Sequence, residues 1–429
     1  MVAKFKTFLK KPTSVNVMVN TAGSILNVVF SAAMHFFLFR IMTPADYGVL
    51  TIWLSVIYVG ANMLDFGTTA TIYAYLPPLH AQKTKLSSNQ YYRFLKTLLG
   101  YQSLLAAAAA LILLLALPAI DQAFLKTDVS QSTYILAIFA IAAFILQNFT
   151  FNLLYATQSF ILSNTLIALA NMVKLICLVM FLQMGIQDLN SILATLTILG
   201  VAVFFIPLSL IKRQTITTTL GARFDRSALQ FKYTFTYLVS TQIYNLAQRM
   251  DLFVLSYFGL RDATGYYAAA QKIILSIATA VVSITQVLSP MYSNVKSQKD
   301  VRHLLRQTFM YLSVPCVLFL ALIVTPQWIF DIYLSKFAQA APLARALAVP
   351  YIIYTLGNAA LLYVLYSAKR PMIALWSNVA YFIMMFGGSY FALSWGTVFM
   401  LPWAVGVALI VAVTILGIYA RSHYQKLPA

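Results

Sequence analysis

Hydrophobic residues in this chain gather into twelve runs, roughly 15–40, 47–75, 97–118, 132–155, 163–183 and 191–211, then 233–258, 266–290, 308–325, 341–366, 372–393 and 398–420. A helix that crosses a bilayer needs about 20 predominantly apolar residues. Each run is close to that length, so the pattern predicts an all-α, polytopic membrane protein with about 12 transmembrane helices. The polar segments between the runs are short, the longest being 77–96 and 212–232. Neither reaches the size of a folded domain, which places the function within the membrane.

A repeat lies under this pattern. Leu38-Phe-Arg-Ile-Met-Thr-Pro-Ala-Asp-Tyr-Gly48 and Leu255-Ser-Tyr-Phe-Gly-Leu-Arg-Asp-Ala-Thr-Gly265 both close one run, pass through a brief polar link and open the next run around a glycine. The offset carries six runs with it. An even number preserves orientation, so the expected architecture is a parallel repeat of two pseudo-equivalent six-helix bundles around a central cavity. The expected division is 1–211 for the first bundle, 212–232 for a basic linker and 233–429 for the second bundle.

Composition supports the membrane reading. Hydrophobic residues make up 61% and charged residues 9% of the chain, against about 25% charged in an ordinary globular domain. The mean hydropathy is +0.81. The net charge of +19 comes from 29 Lys and Arg against 10 acids, every one an aspartate. Such a balance raises the question of nucleic acid, but the cations are scattered between apolar runs and no recognition motif accompanies them, so nucleic acid is not an expected partner. With the N-terminus in the cytoplasm, 21 basic residues fall on that side and 5 on the other. Both termini are therefore expected in the cytoplasm. Lys4, Lys6, Lys10 and Lys11 precede an apolar stretch too long for a signal peptide, which reads as an uncleaved first helix. Cys177 and Cys316 both sit in apolar runs and read as small packing residues, with no disulfide or metal framework implied.

Polar residues in a spanning helix must face protein, water or substrate. On the first helix Asn16, Asn20, Ser24, Asn27, Ser31 and His35 share one face, and on the second Thr51, Ser55, Tyr58, Asn62, Asp65, Thr69 and Tyr73 do the same. The seventh carries Tyr237, Thr241, Tyr244, Gln248 and Asp251. The eighth carries Lys272, Ser276, Thr279, Ser283 and Gln286. Four such faces, two from each half, predict a hydrated pathway, although small polar residues also serve as glue between helices. Charges inside the runs are costly without a partner. Asp251 and Lys272 lie at similar depth on consecutive helices and are placed to pair, whereas Lys174 and Asp65 have no partner evident in the sequence. His35 is either a packing residue or a proton carrier. Arg40 and Arg345 read as interfacial anchors.

The stretch Arg40-Ile-Met-Thr-Pro-Ala-Asp-Tyr-Gly48, followed by Leu64-Asp-Phe-Gly67, resembles the opening of bacterial polysaccharide flippases of the Wzx type, which transport O-antigen units and belong to the multidrug/oligosaccharidyl-lipid/polysaccharide exporter superfamily. In the second half Asn245, Arg249-Met-Asp251-Leu-Phe-Val-Leu and Gly265-Tyr-Tyr-Ala-Ala-Ala-Gln-Lys272 are similar to the same family's seventh-to-eighth helix segment. The resemblance implies alternating access and transfer of an undecaprenyl-diphosphate-linked glycan from the cytoplasmic to the periplasmic leaflet of the bacterial inner membrane. A diphosphate favours Lys and Arg, which makes Lys272, Arg249 and Lys174 candidates for the anionic group. Asn16, Asn20, Asn27, Tyr58, Asn62, Tyr244 and Gln248 are candidates for the glycan path, with Asp65, Asp251 and His35 as coupling or structural charges. The first two helices carry few of the arginines found in the related peptidoglycan-precursor flippases, and there is no thirteenth or fourteenth run, which argues against that precursor as substrate.

Two other functions remain in view. A membrane polysaccharide polymerase or glycosyltransferase needs catalytic groups on a sizeable outer loop, and the longest outer loops here hold Asp121, Asp128 and Asp331 alone among the acids. No phosphate-binding glycine loop, His-Glu-x-x-His helix or nucleophile elbow appears. A multidrug cation antiporter of the same superfamily would use buried carboxylates, of which the runs offer Asp65 and Asp251. No cofactor or metal is expected. Other polysaccharide assembly proteins are possible partners.

Overall fold

The computed structural model describes residues 12–65, 68, 71–72, 75–76, 79–80, 88–225, 239, 242–292 and 297–428. These are helical or in short connections, with no strand among them. The helices are α1 (Pro12–Ile41), α2 (Pro44–Met63), α3 (Ser88–Ile120), α4 (Gln131–Ala156), α5 (Phe160–Met184), α6 (Leu189–Ile211), α7 (Arg213–Gly221), α8 (Met250–Tyr257), α9 (Arg261–Tyr292), α10 (Gln298–Val324), α11 (Gln327–Leu334), α12 (Ala340–Leu362), α13 (Pro371–Trp395) and α14 (Leu401–Tyr424). Ten helical stretches are long and apolar enough to cross a membrane, and α1 contributes a further apolar segment at Ile25–Ile41. Eleven of the twelve apolar runs thus correspond to long helices. The remaining run, 233–258, is described at 239 and from 242 onward.

Several helices extend past their apolar runs because polar residues cap or continue them. α10 begins ten residues before the run at 308, where Ser297 and Asp300 form a reciprocal capping box. That arrangement satisfies two backbone donors that the first helical turn leaves open. α3 starts at Ser88 and ends in a π-helical turn at Asp121–Leu125. α5 stops at Gly185, whose φ of 68° lets its N–H reach the Phe181 carbonyl, a left-handed closure that glycine makes without steric cost.

Two compact units emerge. The first comprises 1–37, 53–122 and 128–239, and the second 38–52, 123–127 and 240–429. In the first, α3 packs on α4 and α5 on α6, and buried Trp53 meets Tyr134 edge to face at 5.5 Å between centroids. Lys96 of α3 donates to the Leu220 carbonyl at 2.9 Å, and the Thr97 hydroxyl accepts from the Asp225 N–H at 2.8 Å. These bonds fasten α7 and the segment after it to α3. In the second unit α12, α13 and α14 pack closely, with Gly357 against Val413 and Gly388 against Ala404. Small residues permit such approach where apolar lipid supplies no hydrophobic drive to association.

The presence of 38–52 in the second unit has a local cause: the two copies of the sequence repeat pack on each other. A Cβ placed at Gly48 would lie 2.6 Å from the Arg261 carbonyl and 2.9 Å from the Gly265 nitrogen, and one placed at Gly265 would overlap the Pro44 carbonyl. Around this contact Phe39 lies 4.8 Å and Tyr47 5.3 Å from the Phe337 ring. Arg40 donates to the Ile332 carbonyl and Arg345 to that of Thr325. Ser256 hydrogen-bonds the Leu125 carbonyl and Arg261 that of Lys126, tying 123–127 to the same unit. Close by but outside the spanning stretches, burial pushes the Tyr333 hydroxyl up to about 12. Burial also lowers the Lys336 ammonium, partly offset by Asp46.

Gly265→Val should lower the thermal midpoint of the purified protein strongly, since overpacking a close backbone contact costs about 1–3 kcal/mol or more. Gly417→Ala, where an added Cβ meets nothing within 4 Å, should leave it unchanged. Equal midpoints for the two variants would contradict the packing described.

Candidate functional site

A polar cluster lies in the second unit, where run 233–258 departs from regular helix. Residues 242–247 are helical, Gln248 and Arg249 form a turn, and α8 resumes at Met250. The Arg249 N–H bonds the Leu246 carbonyl, three residues back, at 3.0 Å. A spanning helix tolerates such an interruption where protein or water satisfies the backbone. The turn brings Arg249 next to α9.

There Asp251, 2% exposed, is fully committed. Its Oδ2 accepts from the Tyr267 hydroxyl at 2.7 Å and from the Gln271 amide at 3.0 Å, and its Oδ1 accepts from the Leu252 N–H at 2.8 Å. The other end of the Gln271 amide accepts from Arg249 Nη1 at 3.4 Å. A chain of hydrogen bonds therefore runs from Tyr267 through Asp251 and Gln271 to Arg249, and it differs from the expected pairing of Asp251 with Lys272. Lys272 follows Gln271 on α9 and lies close enough to Arg249 for the two positive charges to repel. No ion pair to Lys272 occurs among the described residues.

Tyrosines and amides surround these cations. Gln248 donates to the Tyr244 hydroxyl at 2.8 Å, Tyr244 is hydrogen-bonded to Tyr354, and its ring lies 6.0 Å from that of Tyr381. Tyr351 stands 5.6 Å from Tyr354, and Asn358 back-bonds to the Tyr354 carbonyl at 2.8 Å. Of the sequence-derived candidates, the structure gathers Tyr244, Gln248, Arg249, Asp251 and Lys272 in this unit. Sequence reasoning missed Tyr267, Gln271, Tyr351, Tyr354, Asn358 and Tyr381. Tyr351, Tyr354 and Asn358 stand at i, i+3 and i+7, a one-face spacing on the tenth run, and that signal was available.

The first unit uses its polar residues differently. α2 ends at Met63, and the following turn is held by Gln102 of α3, whose amide donates to the Leu64 carbonyl at 2.6 Å. The Thr68 hydroxyl lies 2.6 Å from Asp65 Oδ1 and 2.8 Å from Gln102 Oε1. Asp65, without an evident partner in the sequence, is thus part of a local network with Thr68. Asn62 donates to the carbonyl of Tyr58 in its own helix at 2.7 Å, and Tyr58 is 44% exposed. Asn27 accepts from Asn171 of α5 at 3.1 Å. Gly23 leaves room for Asn164, and Gly200 for the Lys174 side chain, whose Cε an added Cβ would overlap. Lys174 thus lies between α5 and α6 of its own unit. His35 is half-buried and engaged with a neighbour. The side chains of Asn16, Asn20, Ser24 and Gln286 lie outside the described residues, as do residues Thr69, Tyr73, Tyr237 and Thr241.

On α9 the polar stripe is largely self-satisfied. Ser276, Thr279 and Ser283 donate to the carbonyls of Lys272, Leu275 and Thr279. Such bonds leave hydroxyl lone pairs as acceptors on that face. Among the described residues no group of three or more His, Cys, Asp or Glu is placed to hold a metal, and Cys177 and Cys316 are free.

The model of a family described as polysaccharide biosynthesis protein matches residues 37–342. No curated protein matches the sequence. Among solved structures, the fold is similar to the lipid II flippase MurJ in an inward closed conformation, with TM-score 0.69 and 14% identity over 95% of this chain and 87% of that one. It is also similar to a multidrug resistance MATE family transporter of the MOP superfamily in an inward-facing conformation, with TM-score 0.70 and 12% identity over 95% and 98%. A MOP superfamily transporter from Pyrococcus furiosus gives 0.64 and 12% over 96% and 95%. The chain is a multi-pass membrane protein with the fold of MOP-superfamily transporters.

Tyr267→Phe removes one donor from the buried Asp251 carboxylate and should cost about 1–3 kcal/mol, the penalty of a buried group deprived of a partner. Gln102→Leu, which strips the Leu64 carbonyl, should cost a similar amount. Thermal unfolding in detergent checks both, and unchanged midpoints would remove these networks from the account of stability.

Proposed function

The chain belongs to the family of polysaccharide biosynthesis proteins, and from that premise we propose that it is a flippase for a polyprenyl-diphosphate-linked oligosaccharide. The observation that carries the reading is the surplus of positive charge in the second unit. Arg249 reaches Gln271, the residue before Lys272 on α9, so that the two positive charges repel, while Asp251 accepts from Tyr267 and Gln271. Two cations around a single buried carboxylate leave an excess of positive charge that favours an anion, and a diphosphate offers several oxygen acceptors to Arg and Lys. Tyr244, Gln248, Tyr351, Tyr354 and Tyr381 supply the rings, hydroxyls and amides that suit sugar faces and hydroxyls. Asp251 acts in this reading as a positioning residue, because it orients Gln271 and through it Arg249.

The substrate would enter from the cytoplasmic leaflet and leave in the outer leaflet of a bacterial inner membrane, with both chain termini in the cytoplasm as the distribution of basic residues suggests. Access would alternate between the two sides. Asn62 spends one of its two amide donors on the Tyr58 carbonyl and Asn27 accepts from Asn171, so each brings only part of its hydrogen-bonding capacity to the glycan path. Lys174 is held between α5 and α6 and belongs to the packing of the first unit in this reading. The kinship in fold with a lipid II flippase supports a lipid-linked substrate. The kinship with multidrug transporters leaves a cation antiporter as the competitor, and the paired positive charges weigh against a cationic cargo.

In proteoliposomes, the purified chain should move a fluorescent polyprenyl-diphosphate sugar between leaflets, and Arg249→Ala and Lys272→Ala should each slow that transfer by about tenfold or more, since a charge-assisted hydrogen bond contributes roughly 1.5–3 kcal/mol. Wild-type transfer by the double variant would sink the assignment of these two residues. Export of a cationic dye without transfer of the lipid-linked sugar would favour the antiporter.

A further inference from the structure

Each unit contains an apolar cavity with basic side chains at its edge, and the two occupy matching places in the helix order. In the first unit a cavity of about 430 Å³ lies between α3, α4, α6 and α7. Leu95, Phe149, Leu153, Phe205 and Ile216 form its walls, with half-buried Lys212 and exposed His80 at its edge. In the second unit a cavity of about 640 Å³ lies between α10, α12 and α14. Leu305, Phe309, Ile353 and Val413 form its walls, with Arg302, Arg421 and Tyr424 at its edge. α3 and α10, α4 and α12, and α6 and α14 are the third, fourth and sixth apolar runs of their respective halves. The same kind of site therefore recurs at equivalent positions of an internal repeat.

We propose that these two cavities are binding sites for anionic membrane phospholipid, each taking an acyl chain into the apolar space and the phosphate at the basic edge. The argument is one of charge and polarity. Volumes of this size hold a flexible chain, and the walls offer it apolar contact. At the second site the two guanidiniums, with the Tyr424 hydroxyl 3.5 Å from Arg302 Nη2, make a phosphate-binding edge, since Arg forks match phosphate oxygens. At the first, Lys212 stands in the turn between α6 and α7, so a phosphate there would join the end of a spanning helix to the short helix after it. Basic pockets between membrane helices are a recurring mode of anionic lipid recognition. Neither site includes Arg249 or Lys272, so this inference stands whether or not the chain is a flippase.

The test is native mass spectrometry of the full purified chain in detergent, titrated with phosphatidylglycerol, phosphatidylcholine of the same acyl chains, or undecaprenyl phosphate. Two phosphatidylglycerol molecules should be retained per chain, with about fivefold preference over phosphatidylcholine at the one-lysine site and about thirtyfold at the two-arginine site. Lys212→Ala should erase the roughly fivefold preference at that site and Lys212→Arg should restore it. The Arg302→Ala/Arg421→Ala pair should erase the roughly thirtyfold preference at the other. Ser209→Trp and Ala360→Phe, which fill the cavities without touching the cations, should each remove the matching event. Equal retention of the two phospholipids, or retention unchanged by all of these substitutions, would overturn the proposal. Displacement of phosphatidylglycerol by an equal concentration of undecaprenyl phosphate would also overturn it, by assigning the cavities to the carrier lipid.

Discussion

Tyr267 and Gln271 both aim their donors at Asp251 Oδ2, and the electrostatics of the second unit follow from that. A carboxylate at this depth, 2% exposed, would ordinarily neutralise a neighbouring lysine or arginine, because an isolated ion in hydrocarbon is too costly to persist. Here neutral donors meet part of that need. Gln271 then transmits the carboxylate's orienting effect to Arg249 through its free end, and Lys272 is left beside a like charge. A single aspartate placed in this way holds one cation in position without cancelling the local surplus of positive charge.

The same economy governs broken helices. Lipid cannot hydrogen-bond a carbonyl released by a turn, so a spanning helix can break only where a side chain, water or a locally tightened backbone replaces the lost partner. Gln102 does this for the Leu64 carbonyl after α2. At Gln248–Arg249 the backbone tightens to a three-residue bond and α8 restarts at once. The two interruptions have different outcomes. The first ends in a compact local network of Asp65, Thr68 and Gln102, while the second places an arginine beside α9.

The arrangement of helices was legible in the sequence because hydrophobic length is a strong constraint in lipid, and eleven apolar runs correspond to long helices, with ends displaced by up to about twelve residues. Their polar ends were less legible: Ser297 and Asp300 extend α10 through a capping box that hydropathy does not register. The repeat around Gly48 and Gly265 was legible as similarity. Its packing was not, because two segments that look alike need not touch, and here they do through backbone. The polar cluster was legible in part. Arg249, Lys272, Tyr244 and Gln248 stood out as polar residues in apolar runs, but the pairing assigned to Asp251 and Lys272 failed. Depth along a helix is visible in sequence. The competition among donors for one carboxylate is not, and Tyr267 and Gln271 won it because both lie on α9 at a spacing of four, facing α8 together.

That competition also bears on which residues of a polar stripe can meet a substrate. Serines and threonines on α9 spend their protons on carbonyls of their own helix. Such residues present acceptors and can receive hydrogen bonds from sugar hydroxyls, but they offer little to a phosphate, which needs donors. The donors near the interrupted helix that remain suited to an anion are cationic. A stripe that looks uniform in sequence therefore divides into two chemistries: an accepting face for hydroxyls along the regular helices, and a donating point where the seventh run breaks. For a cargo with a neutral polyhydroxyl part and a charged phosphate part, that division supplies each with a matching surface, and it arises from how each helix satisfies its own backbone.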